Sequence, residues 1–420
     1  MSSGEAEEVE KSTDNPQHNP SQTGYHNASL FGSILNLIKN LIGASMLAMP
    51  YGASLSGIVP SFVICMIIGT LSAFTFSLLG LLCAESKTDT YRQVCERYLG
   101  PRWGVAVDVI LSMYALPTCI GYCVFTCDCM QVMLVEIFPD AHSSFLTSRA
   151  FIAIIITIFI LIPLCSFSKI QSLTFTSILG LGAILYCYIF VATDLAEHSD
   201  VIATNVKSHL WLPPSGSPLG LFPIANIYAA CFLVQYNSPK FYFELRKPSA
   251  KRFVLLSFVA SAVVVLMCGS FAIMGVARFG FETPSNLLKK YKSAYAVWTA
   301  TTLALITTYP FDFDAGRRSL VSMISGRTAW LTERRVFWLA TLILIPLFSL
   351  ISVFVDSLST VVGMNGSLLG ITVGFTLPGL LLYKRSAEKK SRVKYAGVAI
   401  SCFGVIMSIL GFVSIFIKFH

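Results

Sequence analysis

Gly32-Ser33-Ile34-Leu35-Asn36-Leu37-Ile38-Lys39-Asn40-Leu41-Ile42-Gly43-Ala44-Ser45-Met46-Leu47-Ala48-Met49-Pro50 is apolar enough to enter a bilayer, yet it carries a lysine and a run of small residues at its centre. The small residues Gly43, Ala44 and Ser45 let a helix unwind there, or let its backbone approach a ligand closely. A second stretch is built alike. Tyr228-Ala229-Ala230-Cys231-Phe232-Leu233-Val234-Gln235-Tyr236-Asn237-Ser238-Pro239-Lys240 is interrupted at Asn237-Ser238-Pro239, where proline removes a helix hydrogen bond. The two stretches lie five apolar runs apart. Broken helices at matching places in two five-helix halves mark the site of an inverted-repeat transporter, because unwound backbone near the bilayer midplane leaves N–H and C=O groups free for a ligand. Half-helix N-termini suit a carboxylate. Freed carbonyls suit a cation or an ammonium. Together they match the two charged ends of an amino acid. The competing reading is a set of packing glycines with a proline kink, both common in membrane helices.

The rest of the chain agrees with a membrane setting. Of 420 residues, 55% are apolar and 12% charged, against about 45–50% and about 25% in a soluble domain. The apolar residues fall in long continuous runs, as bilayer-spanning helices require and β-barrels do not show. Eleven spans are expected, near 30–53, 57–84, 104–136, 149–166, 172–194, 219–243, 252–279, 294–313, 336–356, 358–383 and 394–418. With the N-terminus in the cytoplasm, twenty Lys and Arg lie in inward loops and six in outward ones, the bias that orients membrane proteins. The net charge of +8 then belongs to inward loops and not to a nucleic-acid surface. Residues 1–28 are polar and read as a disordered cytoplasmic tail. No cleavable signal peptide is expected, so the first span serves as the targeting signal. Residues 29–420 form the transporter domain: helices 1–5 about 30–194, helices 6–10 about 219–383 and helix 11 about 394–418. The sequons at Asn27 and Asn365 face the cytoplasm and membrane depth, and neither is expected to be glycosylated.

These residues resemble the amino acid/auxin permease family, which includes proton-assisted, sodium-coupled neutral and vacuolar amino acid transporters. The resemblance rests on Leu37 to Pro50, on Tyr236-Asn237-Ser238-Pro239-Lys240-Phe241-Tyr242-Phe243-Glu244-Leu245-Arg246-Lys247-Pro248-Ser249, and on Thr307-Thr308-Tyr309-Pro310 followed by Arg317-Arg318-Ser319-Leu320. It covers nearly the whole chain after the tail. Three departures stand out: Gly43-Ala44-Ser45 replaces a common Gly-x-Gly, the family's histidine in span 6 is absent with Gln235 or Tyr236 nearby, and Asp312 and Asp314 stand where the family is apolar. The resemblance implies an all-α integral membrane protein with a LeuT-like fold, a five-plus-five inverted repeat with discontinuous helices 1 and 6 and one extra helix. It also implies secondary transport of amino acids by alternating access, coupled to protons or alternatively to sodium. A transporter-like receptor that senses amino acids is the competing reading. No enzyme motif appears, and no cofactor or metal is expected.

The expected substrate contacts are Asn40, Gly43, Ala44, Ser45, Tyr114, Gln235, Tyr236, Asn237 and Ser238, and the expected ion-coupling residues are Lys39, Thr307 and Thr308. A charge inside a membrane is a functional candidate by default. An ammonium at Lys39 can stand in for a sodium ion or exchange a proton during transport; the alternative is a structural ion pair. The resemblance places the family's ion-site hydroxyl at Thr307 or Thr308, Thr308 being the better match. The plainer reading is a threonine capping carbonyls freed by Pro310. Asp312 and Asp314 are expected at a wet cytoplasmic helix end; the alternatives are pairing with Arg317 and Arg318 or Lys39, or carrying protons. Cys119, Cys123 and Cys127 share one helical stripe that suits close packing better than a soft metal. Cys95 is placed in a polar loop, and all six histidines in tails or loops. The partners expected are an amino acid and the lipid bilayer, with no nucleic acid and a monomeric state. The membrane is the plasma membrane or a vacuolar or lysosomal one.

Overall fold

A computed structural model describes residues 28–137, 145–166, 174–211, 221–284, 286–291, 294–324, 332–354 and 366–416. The tail 1–27, the sequon residues Asn27 and Asn365, Lys169, Arg327 and the start of the tenth expected span, 358–365, lie outside the described residues.

The described chain is helical. In order, α1 is Leu30–Leu41, α2 Met49–Ser56, α3 Ile58–Ser86, α4 Tyr91–Leu99, α5 Pro101–Ile137, α6 Arg149–Ile156, α7 Ile162–Cys165, α8 Thr174–Glu197, α9 Ser199–His209, α10 Leu221–Cys231, α11 Ser238–Glu244, α12 Ala250–Phe279, α13 Tyr295–Ile324, α14 Glu333–Phe354, α15 Leu377–Glu388 and α16 Lys394–Phe416. Among the described residues seven helices are long and apolar enough to cross a membrane, and α1 with the helix after its break, bent by 49°, counts as an eighth if the pair is one span. The chain is a multi-pass membrane protein. Its outer helices show lipid-facing side chains such as Phe159, Phe175, Leu266 and Leu350, all well exposed.

Both expected interruptions are present, one of them displaced. α1 stops at Leu41. Ile42 and Gly43 are extended, a short 3-10 turn follows at Ala44–Ala48, and α2 begins at Met49. In span 6 the helix ends at Cys231, six residues before Asn237 of the expected Asn237-Ser238-Pro239. A 3-10 turn at Gln235–Asn237 follows, and α11 restarts at Ser238. Pro239 therefore does not break the helix. It lies in the first turn of a new one, where a missing N–H is no loss. The chain leading into α1 is tied to the exit of α11: Ala28 N–H donates to Glu244 O at 3.0 Å and Arg246 N–H to Ala28 O at 2.8 Å.

The cysteines are free, and eleven of the twelve are buried. Two expectations are corrected here. Cys95 lies on α4 with its side chain buried, because that helix packs its apolar face on α5. His209 ends α9 fully buried, its ring 4.0 Å from that of Phe281. The Cys119–Cys123–Cys127 stripe packs among Ile152, Ile156, Tyr309 and Phe348, and among the described residues no group of His, Cys, Asp or Glu is arranged to hold a metal.

Arg317 of α13 joins three helices. Its guanidinium donates to Cys165 O at 2.7 Å, to Thr341 Oγ1 at 2.8 Å and to Asp314 Oδ1 at 3.0 Å, and it lies 3.8 Å over the Phe337 ring. Removing one partner of a fully buried ion pair costs about 3–5 kcal/mol. Arg317→Leu should therefore lower the unfolding midpoint in detergent by several degrees. A thiol-reactive dye measures this directly, since the buried cysteines become accessible only on unfolding.

Candidate functional site

The site is built where the two breaks face α5, α8 and α13. Lys39, two residues before the end of α1, is completely buried. Its ammonium donates to Ala304 O at 2.9 Å and also to Thr308 Oγ1. Thr308 in turn donates to Ala304 O at 2.8 Å, and Thr307 bonds Leu303 O and Ala304 O at 2.9 and 3.0 Å. A carbonyl and a hydroxyl of α13 thus hold the cation against α1. Neither threonine bonds the Ile306 carbonyl that Pro310 frees; both hydroxyls bond earlier carbonyls. A helix in lipid can present such oxygens to a cation only where protein surrounds it.

Beside Lys39 the first break opens on a cleft with a cavity volume of about 30 Å³, lined by Gly43, Met46, Leu47, Phe271, Ala304 and Thr308, among others. The 3-10 turn at Ala44–Ala48 forms its rim, with Ser45 half-buried. Asn40 is buried with both amide atoms unpartnered. Further along α13 a second cleft, with a cavity volume of about 60 Å³, is lined by Arg92, Asp108, Tyr236, Pro239, Ala315 and Arg318, with others.

Between the two clefts lies Asp312. The expectation of a wet helix end is overturned: Asp312 is 6% and Asp314 8% exposed, because α13 continues to Ile324 and is packed along α5 and α8. The Asp312 carboxylate accepts a hydrogen bond from the Tyr236 hydroxyl, and the Tyr122 hydroxyl interacts with it as well. Tyr114 lies beside Tyr236, ring centroids 6.0 Å apart. Asp314, half a turn on, is ion-paired with Lys240 at 2.8 Å, Arg317 at 3.0 Å and Arg318 at 3.2 Å.

A family described as "Transmembrane amino acid transporter protein" matches residues 26–418. The chain belongs to that family. Among its relatives, the Arabidopsis thaliana amino acid transporter AVT6E is 23% identical over 87% of this chain and 78% of its own length. Vacuolar amino acid transporter 2 of Saccharomyces cerevisiae is 22% identical, over 91% and 82%. Two solved structures share the fold: MhsT in complex with L-phenylalanine, with TM-score 0.59, 13% identity and coverage of 93% of this chain and 100% of that one, and a Na+-coupled sialic acid symporter in its substrate-bound outward-open state, with TM-score 0.56, 12% identity and coverage of 93% and 90%. The LeuT-like architecture is thereby shown for this family member.

The residues expected at its site fall into two sets. Lys39, Thr308, Gly43 and Tyr236 meet around the clefts and Asp312. Gln235 and Ser238 turn away to α3. The Gln235 amide donates to Ser72 Oγ at 2.9 Å and Thr75 Oγ1 at 3.1 Å, and its oxygen accepts from Val234 N–H at 3.0 Å. Ser238 Oγ donates to Phe76 O at 2.5 Å. Both stabilise the second break from behind. Asn237 is intermediate: its oxygen accepts from Arg318 at 2.9 Å, while its amide nitrogen is buried without a partner.

Sequence reading missed Tyr122 and Gly180. Tyr122 is one more aromatic residue in an apolar run, and only the crossing of α5 and α13 brings it to Asp312. Gly180 of α8 lies against the Lys39 stem and the Thr307 hydroxyl, leaving no room for a β-carbon. At Gly43, likewise, a β-carbon would come 2.8 Å from the Tyr122 hydroxyl, well inside van der Waals contact. Gly43→Val should therefore push Tyr122 from its place and lower uptake by about tenfold or more, as small misplacements in a pre-formed site do. Its unfolding midpoint should stay within a few degrees of the parent's, as scanned in detergent.

Proposed function

We propose that this chain carries amino acids across the membrane by alternating access, with the substrate held between the broken first and sixth spans and coupling to protons at Lys39. The domain is residues 29–420, in eleven crossings, behind a cytoplasmic tail. It works as a monomer in the plasma membrane or a vacuolar or lysosomal membrane. One observation carries the reading: the Lys39 ammonium lies on Ala304 O and Thr308 Oγ1, between α1 and α13, where the resemblance expects a coupling cation. A protonated lysine fills that place with a fixed charge and ties the two helices together. Loss of its proton removes the charge and weakens both hydrogen bonds, which loosens α1 against α13. An amino acid fits the rest of the site. Backbone N–H groups at the start of the 3-10 turn suit its carboxylate, and oxygens at the breaks suit its ammonium.

Purified protein in proteoliposomes tests this with radiolabelled amino acids under imposed proton or sodium gradients. A proton gradient should drive accumulation and a sodium gradient should not. Lys39→Ala and Lys39→Asn should lose the dependence on the proton gradient by about tenfold, a magnitude usual for coupling between two sites, while remaining folded. Equal gradient-driven uptake by both variants would remove Lys39 from coupling. Sodium-driven uptake by the parent would establish the sodium-coupled alternative. Binding without uptake under either gradient would mark a receptor.

A further inference from the structure

The two aspartates of α13 are two residues apart and are treated very differently by the fold. Asp314 is saturated with charge: Lys240, Arg317 and Arg318 all lie within 3.2 Å of its oxygens. Asp312 is as deeply buried, yet among the described residues no Lys or Arg lies within ion-pair distance of it. The nearest ammonium in electrostatic reach, Lys39, is bound to Ala304 O and Thr308 Oγ1 one turn away. The Asp312 carboxylate is held instead by the neutral hydroxyls of Tyr236 and Tyr122. A carboxylate inside a membrane protein is costly and is kept where it meets a charge during function.

Its position says which charge. Thr308, one turn earlier on α13, lines the cleft at the first break together with Gly43. Ala315, one turn later, and Tyr236 line the cleft on the other side. Tyr122 touches both Gly43 and Asp312. The Tyr122–Asp312–Tyr236 knot therefore lies between the clefts along α13, and it joins span 3 to the region of both breaks. Tyrosine hydroxyls bind a carboxylate reversibly and can be exchanged for a charged donor, which makes a stronger hydrogen bond.

Resting on the reading of this site as the transport site, we infer that Asp312 receives the positively charged side chain of a cationic amino acid. The substrate's ammonium or guanidinium takes the place of the tyrosine hydroxyls on the carboxylate, and its α-carboxylate and α-ammonium are held at the helix breaks. Asp312 then selects for a second positive charge on the substrate, and displacement of Tyr122 and Tyr236 opens a path between the clefts.

The test uses the full chain in proteoliposomes and a matched pair, L-lysine and L-norleucine. The two share the α-amino acid group and a four-carbon side chain, and differ in the terminal ammonium. The parent should take up lysine at least tenfold more efficiently than norleucine. Asp312→Asn should reduce that ratio at least tenfold, and Asp312→Glu should retain part of it. L-arginine should compete with lysine in the parent, and L-leucine should compete poorly. Uptake of norleucine equal to that of lysine in the parent would overturn the inference even if every variant misfolded, and so would a ratio unchanged in Asp312→Asn. A parallel loss of both substrates in Asp312→Asn would assign the carboxylate to the α-ammonium or to coupling, and would overturn it too. Absence of uptake of any amino acid by the parent is a separate result. It would overturn the transport reading and this inference with it.

Discussion

A polypeptide in a bilayer has no water to accept its backbone hydrogen bonds, so a helix can be opened at membrane depth only where side chains replace what is lost. That constraint governs this molecule. At the first break the Leu41 carbonyl accepts from the Cys231 thiol at 3.1 Å. At the second, Phe232 O accepts from Ser72 Oγ at 2.5 Å, and Val234 N–H donates to Gln235 Oε1 at 3.0 Å. Each break is thus repaired in part by its neighbours: Cys231 serves the first from the end of α10, and α3 serves the second through Ser72, Thr75 and the Gln235 amide. The apolar helices pack around this polar seam, and the clefts on either side exist because the seam interrupts close packing.

Charge is handled by the same rule. Few charged groups lie deep in the helices, and most of those are neutralised by close partners. Arg317 has a carboxylate, a carbonyl, a hydroxyl and an aromatic face. Asp314 has three cations. Asp108 meets Arg92 at 2.8 Å, and Arg92 also reaches Ser322 Oγ at 2.9 Å, which ties α4 and α5 to the end of α13. Lys39 and Asp312 differ. Each is buried and each is satisfied by neutral oxygens or hydroxyls, and among the described residues neither has a direct ion pair. A structural role would favour pairing them tightly. Their separation by one turn of α13 leaves a cation site and an anion site that can each change partner.

The sequence carried much of this openly. Continuous apolar runs require membrane helices, since nothing else can satisfy the backbone in lipid. The Gly43-Ala44-Ser45 run marked the first break correctly, because small residues are tolerated there for a local reason. Lys39 was conspicuous by its charge alone. The second break was placed late, at Pro239, because proline reads as a helix breaker from either side, although a first-turn proline costs nothing. Cys119, Cys123 and Cys127 pack closely as their shared stripe suggests, whereas Cys95 and His209, expected in loops, lie on helices. Amphipathic α4 and α9 bury one face despite that polarity.

Local chemistry therefore determined which segments enter the membrane, where the first helix opens, and that a lysine goes in with it. Tertiary structure alone decided what each polar side chain meets. Gln235 and Tyr236 are adjacent in sequence, yet one faces α3 and the other Asp312, since consecutive residues on a turning backbone point in different directions. Asp312 and Asp314 have the same chemistry and the same depth. Arg317 and Arg318 reach Asp314 from the next turn of α13 itself, at i+3 and i+4, but only tertiary packing adds Lys240 to it and brings Tyr236 and Tyr122 to Asp312. Spacing carries the first two contacts and not the others, which depend on helix rotation and on partners more than seventy residues away.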